Sequence, residues 1–130
     1  MAGSKTILSI EDDRFISEMY ARSLRKAGYE VSEVVTGPDG IREAKDGNYD
    51  VVLLDIMLPD KTGVEVLYEL RGKDGKGLPG TRIVIMTNFE QDDATRQAME
   101  KLADVYVIKA ETTPRRMVEI VEQITTPRAA

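Results

Sequence analysis

Four places along the chain set polar residues where an apolar run stops. Glu11-Asp12-Asp13 follow KTILSI, Asp55 follows VVLL, Thr87-Asn88 follow RIVIM, and Lys109 follows DVYVI. The chemistry open to such a set is narrow. Two carboxylates about 5 Å apart at an effective dielectric near 20 repel by roughly 3 kcal/mol. If Glu11, Asp12 and Asp55 cluster, something cationic must relieve them, either Lys109 or a divalent cation. With carboxylates, backbone carbonyls and water as the ligands on offer, Mg2+ suits the set better than a soft metal. The chain contains no Cys and no His. That removes thiol nucleophiles, disulfides, Ser–His pairs, imidazole-bound zinc and any phosphohistidine on this chain. Taken singly, each residue has an ordinary use. Asp55 and Thr87 can cap a turn or helix, Asp13 can do the same, Tyr106 can be a half-buried strand aromatic, and Lys109 can be a solvated charge.

These residues meet only if the apolar runs are neighbouring strands. The runs at 5–10, 29–35, 51–54, 82–86 and 104–108 read as strands. Val51 to Leu54 is apolar throughout, as in a strand buried on both faces, whereas 29–35 alternates as at a sheet edge. Between them lie segments with helical spacing, at 14–27, from 37 to about 45, 62–71, 90–102 and 114–124. Phe15, Ile16, Met19, Tyr20 and Leu24 form the stripe of the first. Val64, Leu67, Tyr68 and Leu70 form that of the third, and Met117, Ile120, Val121 and Ile124 that of the fifth. Asp13 is placed to cap the first helix, with Gly28 stopping it. Glu90, Asp92 and Asp93 fall in the first turn of the fourth, where the helix dipole favours negative charge. The Gly-rich stretch 73–80 (KDGKGLPG) is expected to be a mobile loop. Five βα units in alternation predict a parallel sheet covered by helices on both faces. In such sheets ligands bind outside the carboxyl ends of the strands, which is where the polar residues stand.

The chain has 130 residues, 42% hydrophobic and 32% charged, with a net charge of −5. This fits one domain, with a core from about 4 to 126 and short tails. No apolar run reaches the length of a membrane span, and MAGSK leads into TILSI without the apolar stretch of a leader. A cytoplasmic protein that does not engage a membrane is expected. No basic tract argues for nucleic acid as a direct partner. The residues after the last helix are too few for an output domain.

The chain resembles the receiver domains of bacterial two-component response regulators, the CheY-like superfamily. The resemblance rests on Glu11-Asp12 after the first strand, Asp55-Ile56-Met57-Leu58-Pro59 with Gly63 eight positions beyond Asp55, Thr87 after the fourth strand, Tyr106 in the fifth, and Lys109 three residues later. It implies a doubly wound, flavodoxin-like five-stranded sheet of order 2-1-3-4-5. It implies that Asp55 accepts a phosphoryl group from the phosphohistidine of a sensor kinase or phosphotransfer protein. Mg2+, with Mn2+ able to substitute, would be held by Glu11, Asp12, Asp55 and the backbone carbonyl of Met57. Thr87 and Lys109 would bind the phosphoryl group, and Thr87 and Tyr106 would act as the switch. Such a protein catalyses only its own phosphorylation and slow dephosphorylation. Its output passes to a target protein, or to a second copy, through the face of the fourth helix, fifth strand and fifth helix, including Arg96, Met99 and Tyr106.

Two departures carry expectations. Ala110 stands where the family usually has Pro. A cis bond before Ala costs about 3 kcal/mol or more, so either a trans bond with a rearranged loop or a strained cis bond is expected. Asn88 replaces a small residue and would narrow the phosphoryl pocket, while Met57 and Phe89 would flank the path of an attacking water and slow hydrolysis. An aspartyl-phosphate phosphatase of the haloacid dehalogenase type needs a second acid where Met57 stands. A flavodoxin-like cofactor protein needs a phosphate-cradling loop where EDDRF is acidic. A receiver-like binding module that is never phosphorylated is the remaining rival, and the complete set of acids, Thr and Lys argues against it.

Overall fold

The computed structural model describes residues 5–88 and 91–126. Strands β1 (Thr6–Ile10), β2 (Glu30–Val34), β3 (Val51–Asp55), β4 (Arg82–Thr87) and β5 (Val105–Ile108) alternate with helices α1 (Arg14–Lys26), α2 (Gly37–Gly47), α3 (Gly63–Arg71), α4 (Asp93–Leu102) and α5 (Pro114–Thr125). All pairings are parallel, in the order β2-β1-β3-β4-β5, the arrangement the resemblance implies. Strand order reverses at β1, so the crevice beyond the carboxyl ends of β1 and β3 is the topological switch point.

Side chains alternate across each strand, and the two faces bury separate clusters. Ile7, Val51, Leu53, Val84 and Met86 pack against Tyr20 and Leu24 of α1 and Met117, Ile120 and Val121 of α5. Leu8, Ile10, Val52, Leu54, Ile83 and Ile85 pack against Ala44 of α2, Val66, Leu67 and Leu70 of α3, and Met99 of α4. Every residue of β3 is buried, which explains its unbroken apolar run. Each such aliphatic side chain contributes about 1.5–3 kcal/mol relative to exposure.

The helix starts are fixed by side-chain caps. Asp13 accepts from the N–H groups of Phe15 and Ile16, so the cap is its role. Thr62 and Glu65 form a reciprocal capping box at α3. Asp92 is the cap of α4 and not a residue of its first turn, so that helix begins at Asp93; Glu90 lies outside the described residues. Phe15 is 80% and Tyr68 50% exposed. Both sit at the margins of their helical stripes, facing away from the core. Met99, expected on the output surface, is instead the one buried residue of α4, and its side chain joins the core between α3 and β4.

The stretch 73–80, expected to be mobile, is anchored near its end at Gly77 and Leu78. Arg71 is buried and its guanidinium donates to the carbonyls of Gly77 (3.1 Å), Leu78 (2.8 Å), Thr81 (3.0 Å) and Leu102 (2.8 Å), and to Asp104 Oδ2 (3.1 Å). Burial pushes the Arg71 pKa down while the Asp104 carboxylate pulls it up. The fork of donors matches several carbonyls at once, as a Lys ammonium could not.

Candidate functional site

Strand alternation sorts the candidate residues onto two sides of the sheet. On β3 the residues 51 and 53 face α1 and α5, so Asp55 continues that face. Glu11, following Ile7 and Ser9, and Lys109, following Val105 and Val107, keep the same parity. Thr87 follows Ile83 and Ile85, and Tyr106 packs with them, so these two belong to the face that carries α4.

Glu11 and Asp55 are each 1% exposed, while Asp12 is exposed. One carboxylate oxygen from each of Glu11, Asp12 and Asp55 lies within 4.8 Å of the others. Lys109, with its side chain 8% exposed, donates from Nζ to Glu11 Oε1 and lies 3.3 Å from Asp55 Oδ2. The other Asp55 oxygen accepts from the Met57 N–H at 3.0 Å. Glu11 Oε2 accepts from the Asp13 N–H at 3.1 Å. Burial, and then the neighbouring Asp55 carboxylate, push the Glu11 pKa up from 4.5 to about 7. Burial works against the Lys109 ammonium, yet the Glu11 and Asp55 carboxylates outweigh it and raise its pKa. The cluster therefore holds more negative charge than one ammonium balances. Its donors are hard oxygens on one rim, a set that fits Mg2+.

Two backbone features build this rim. Gly63 donates its N–H to the Ile56 carbonyl at 2.8 Å, and a Cβ there would sit 2.4 Å from Ile56 Cα and 2.7 Å from the Asp55 carbonyl oxygen. The glycine eight residues after Asp55 is thus a steric requirement for α3 to start against the end of β3. After β5, the 109–110 peptide is trans, as are all bonds among the described residues, and Lys109–Glu111 form a 3-10 turn. The turn is closed by Thr112, whose N–H donates to the Lys109 carbonyl at 3.1 Å and whose hydroxyl donates to the Ile108 carbonyl at 2.8 Å. Tyr20 donates to the Thr112 carbonyl at 2.7 Å. Of the two peptide states expected before Ala110, the trans bond is the one present.

Met57 is 56% exposed at the rim. Asn88 is exposed as well. Phe89 lies outside the described residues. Thr87 is fully buried and its Oγ1 accepts from Gln91 Nε2 at 3.3 Å. The Tyr106 hydroxyl accepts from the Gln91 N–H at 3.2 Å, and the Arg96 guanidinium lies 5.1 Å from the Tyr106 ring centroid. Gln91 was not legible as a site residue. The helical spacing over 90–102 puts it inside the fourth helix, whereas it stands ahead of the α4 cap Asp92, in contact with both Thr87 and Tyr106.

The family model described as the response regulator receiver domain matches residues 7–122. The chain belongs to this family. Among curated relatives, it is similar to the transcriptional regulatory protein CiaR of Streptococcus pneumoniae, 41% identical over 103 residues that cover 79% of this chain and 44% of that protein. It is similar also to the transcriptional regulatory protein CusR of Escherichia coli, 33% identical over 103 residues with 79% and 44% covered. The receiver thus spans less than half the length of these relatives. Among solved structures it resembles a receiver domain protein from Methanospirillum hungatei, with a TM-score of 0.79, 27% identity and 93% of each chain covered. A LuxR-family DNA-binding response regulator from Staphylococcus aureus gives a TM-score of 0.80 at 26% identity, covering 94% and 99%. Among the described residues of this receiver, no helix is long and apolar enough to cross a membrane.

Proposed function

We propose that this receiver is a phosphorylation switch in which Asp55 is the phosphoacceptor. An Asp55 oxygen attacks the phosphorus of a phosphohistidine on a sensor kinase or phosphotransfer protein. The P–N bond breaks, its electron pair stays with the imidazole, and an acyl phosphate remains on Asp55. Slow attack by water returns the carboxylate and inorganic phosphate. The observation that supports this most is the position of the Asp55 carboxylate, buried at the end of β3, 3.3 Å from the Lys109 ammonium and beside two further carboxylates.

Glu11, Asp12, Asp55 and the backbone carbonyl of Met57 would hold Mg2+. The ion supplies charge neutralisation between the carboxylates and the incoming phosphoryl oxygens. Lys109 gives a second positive charge, which transfers from the Asp55 carboxylate to a phosphoryl oxygen as a mobile point charge. Thr87 donates its hydroxyl to another phosphoryl oxygen and turns away from the α4 face to do so. Tyr106 follows, and the surface of α4, β5 and α5 changes for a target protein or a second copy. Arg96 and Tyr106 lie on that surface, with Met99 beneath it. Exposed Met57 stands at the mouth of the site, where it hinders an attacking water.

Intact-mass measurement after incubation with a small phosphodonor tests the reading. Gain of one phosphoryl group is expected with Mg2+ and not after chelation of the metal. An unmodified mass under all conditions, with Mg2+ shown to bind, would favour a binding module that is never phosphorylated.

A further inference from the structure

Gln91 makes two contacts that join the residues of the proposed switch to each other. Its side-chain amide donates to Thr87 Oγ1 at 3.3 Å. Its main-chain N–H donates to the Tyr106 hydroxyl at 3.2 Å. It stands immediately before Asp92, the residue that caps α4 through the Thr95 N–H at 2.8 Å. One residue thus touches Thr87 at the end of β4, Tyr106 in β5 and the entry to α4.

We propose that Gln91 is a positioning residue, a latch that holds the Thr87 hydroxyl and the Tyr106 phenol in the unphosphorylated arrangement. The proposal rests on the phosphoacceptor reading of Asp55 and adds to it how the resting state is held. Thr87 has the strand parity of the α4 face, whereas Asp55 and Lys109 have that of the opposite face. To meet a phosphoryl group on Asp55, the Thr87 hydroxyl must move away from Gln91. At 3.3 Å the Gln91 contact is already near the outer limit of a hydrogen bond, so a small displacement breaks it. Because the same residue carries the main-chain contact to Tyr106, loss of the side-chain anchor loosens the phenol as well. The Arg96 guanidinium over the ring and the Arg96–Glu100 ion pair at 2.8 Å connect that phenol to the exposed side of α4.

A latch that must open opposes phosphorylation. Its removal therefore favours the phosphoryl-bound state instead of weakening it, which a merely structural residue would not do. Gln91→Met keeps the side-chain length and removes the donor. Beryllium trifluoride with Mg2+, a phosphoryl mimic, serves as the probe, with affinity read by fluorine NMR titration. Gln91→Met is expected to bind the mimic roughly 2- to 10-fold more tightly, the range for one net hydrogen bond. The gain persists in a Thr87→Ser background and disappears in Thr87→Val, where no hydroxyl is left to latch. In the metal-free protein, Thr87→Val also shifts the side-chain amide resonances of Gln91.

Unchanged or weaker binding by Gln91→Met, an equal gain in Thr87→Val, or amide resonances indifferent to Thr87→Val would overturn the latch. The phosphoacceptor reading stands as long as the wild type binds the mimic and Asp55→Asn does not. A wild type that takes no mimic overturns that reading and the latch with it. Gln91→Ala serves as a second donor-free variant should the Met side chain disturb the loop.

Discussion

Lys109 Nζ lies 3.3 Å from Asp55 Oδ2, although β5 and β3 are separated in the sheet by β4. The reach follows from strand parity. Both side chains leave the carboxyl ends of their strands toward the same face, and the 3-10 turn after β5 keeps the ammonium over the rim. Glu11 binds the same ammonium from β1. One cation is thus shared by carboxylates from two other strands.

That sharing predicts stability changes of opposite sign. Asp55 is one of three clustered carboxylates that share a single ammonium, so removing its charge relieves repulsion on the other two. Asp55→Asn should therefore stabilise the metal-free protein by roughly 1–3 kcal/mol. Lys109→Met leaves two buried carboxylates without their cation and should destabilise it by about 3–5 kcal/mol. Urea unfolding of both variants in chelator checks the two signs.

Metal affinity should respond in opposite directions at Asp12 and Lys109. Asp12→Ala removes an exposed carboxylate from the cluster and should weaken Mg2+ binding by on the order of tenfold or more. Lys109→Met removes a competitor for the same oxygens and should strengthen it. Titration with Mg2+ followed by NMR, or with Mn2+ by paramagnetic relaxation, measures both.

Gly63 ties the start of α3 to the phosphoacceptor strand. A Cβ would lie 2.4 Å from Ile56 Cα, a contact that backbone must yield to. Gly63→Ala should cost about 1–3 kcal/mol and also slow phosphorylation, because the clash falls on the backbone of Asp55 and Ile56. Unfolding and phosphorylation rate, measured on the same variant, should both move.

Arg71 holds the 73–80 loop and the end of α4 from the far end of the sheet. Arg71→Met should destabilise by roughly 3 kcal/mol or more, leaving several carbonyls and Asp104 without their donor. Arg71→Lys should recover little of it. Hydrogen exchange should rise first in residues 73–80 and around Leu102.

Much of this architecture was legible in the sequence, and the reasons are local. The apolar run before Asp55 marks a strand buried on both faces, and Asp13 and Gly28 bracket α1. The acids, Thr and Lys could be placed together because the carboxyl ends of parallel strands share one rim. What escaped depends on contacts far apart in the chain. Arg71 reads as a charge at the end of a helix until carbonyls from 77, 78, 81 and 102 converge on it. Stripe margins misled at Phe15 and Tyr68, where helical spacing alone does not say how wide the covered face is. Met99 shows the reverse, since it is the one buried side chain of α4 and packs into the core with Leu102 beside it. Gln91 falls within the helical spacing of 90–102, which does not reveal that the helix starts only at Asp93.

The central claim concerns one carboxylate, so the most direct measurement identifies the modified residue. The protein is incubated with a small phosphodonor and Mg2+, treated with borohydride, which reduces an acyl phosphate to an alcohol, and mapped by peptide mass spectrometry. The account predicts homoserine at position 55, absent without donor or metal and absent in Asp55→Asn. Homoserine at another acidic residue, or a phosphoryl group that persists in Asp55→Asn, would contradict it.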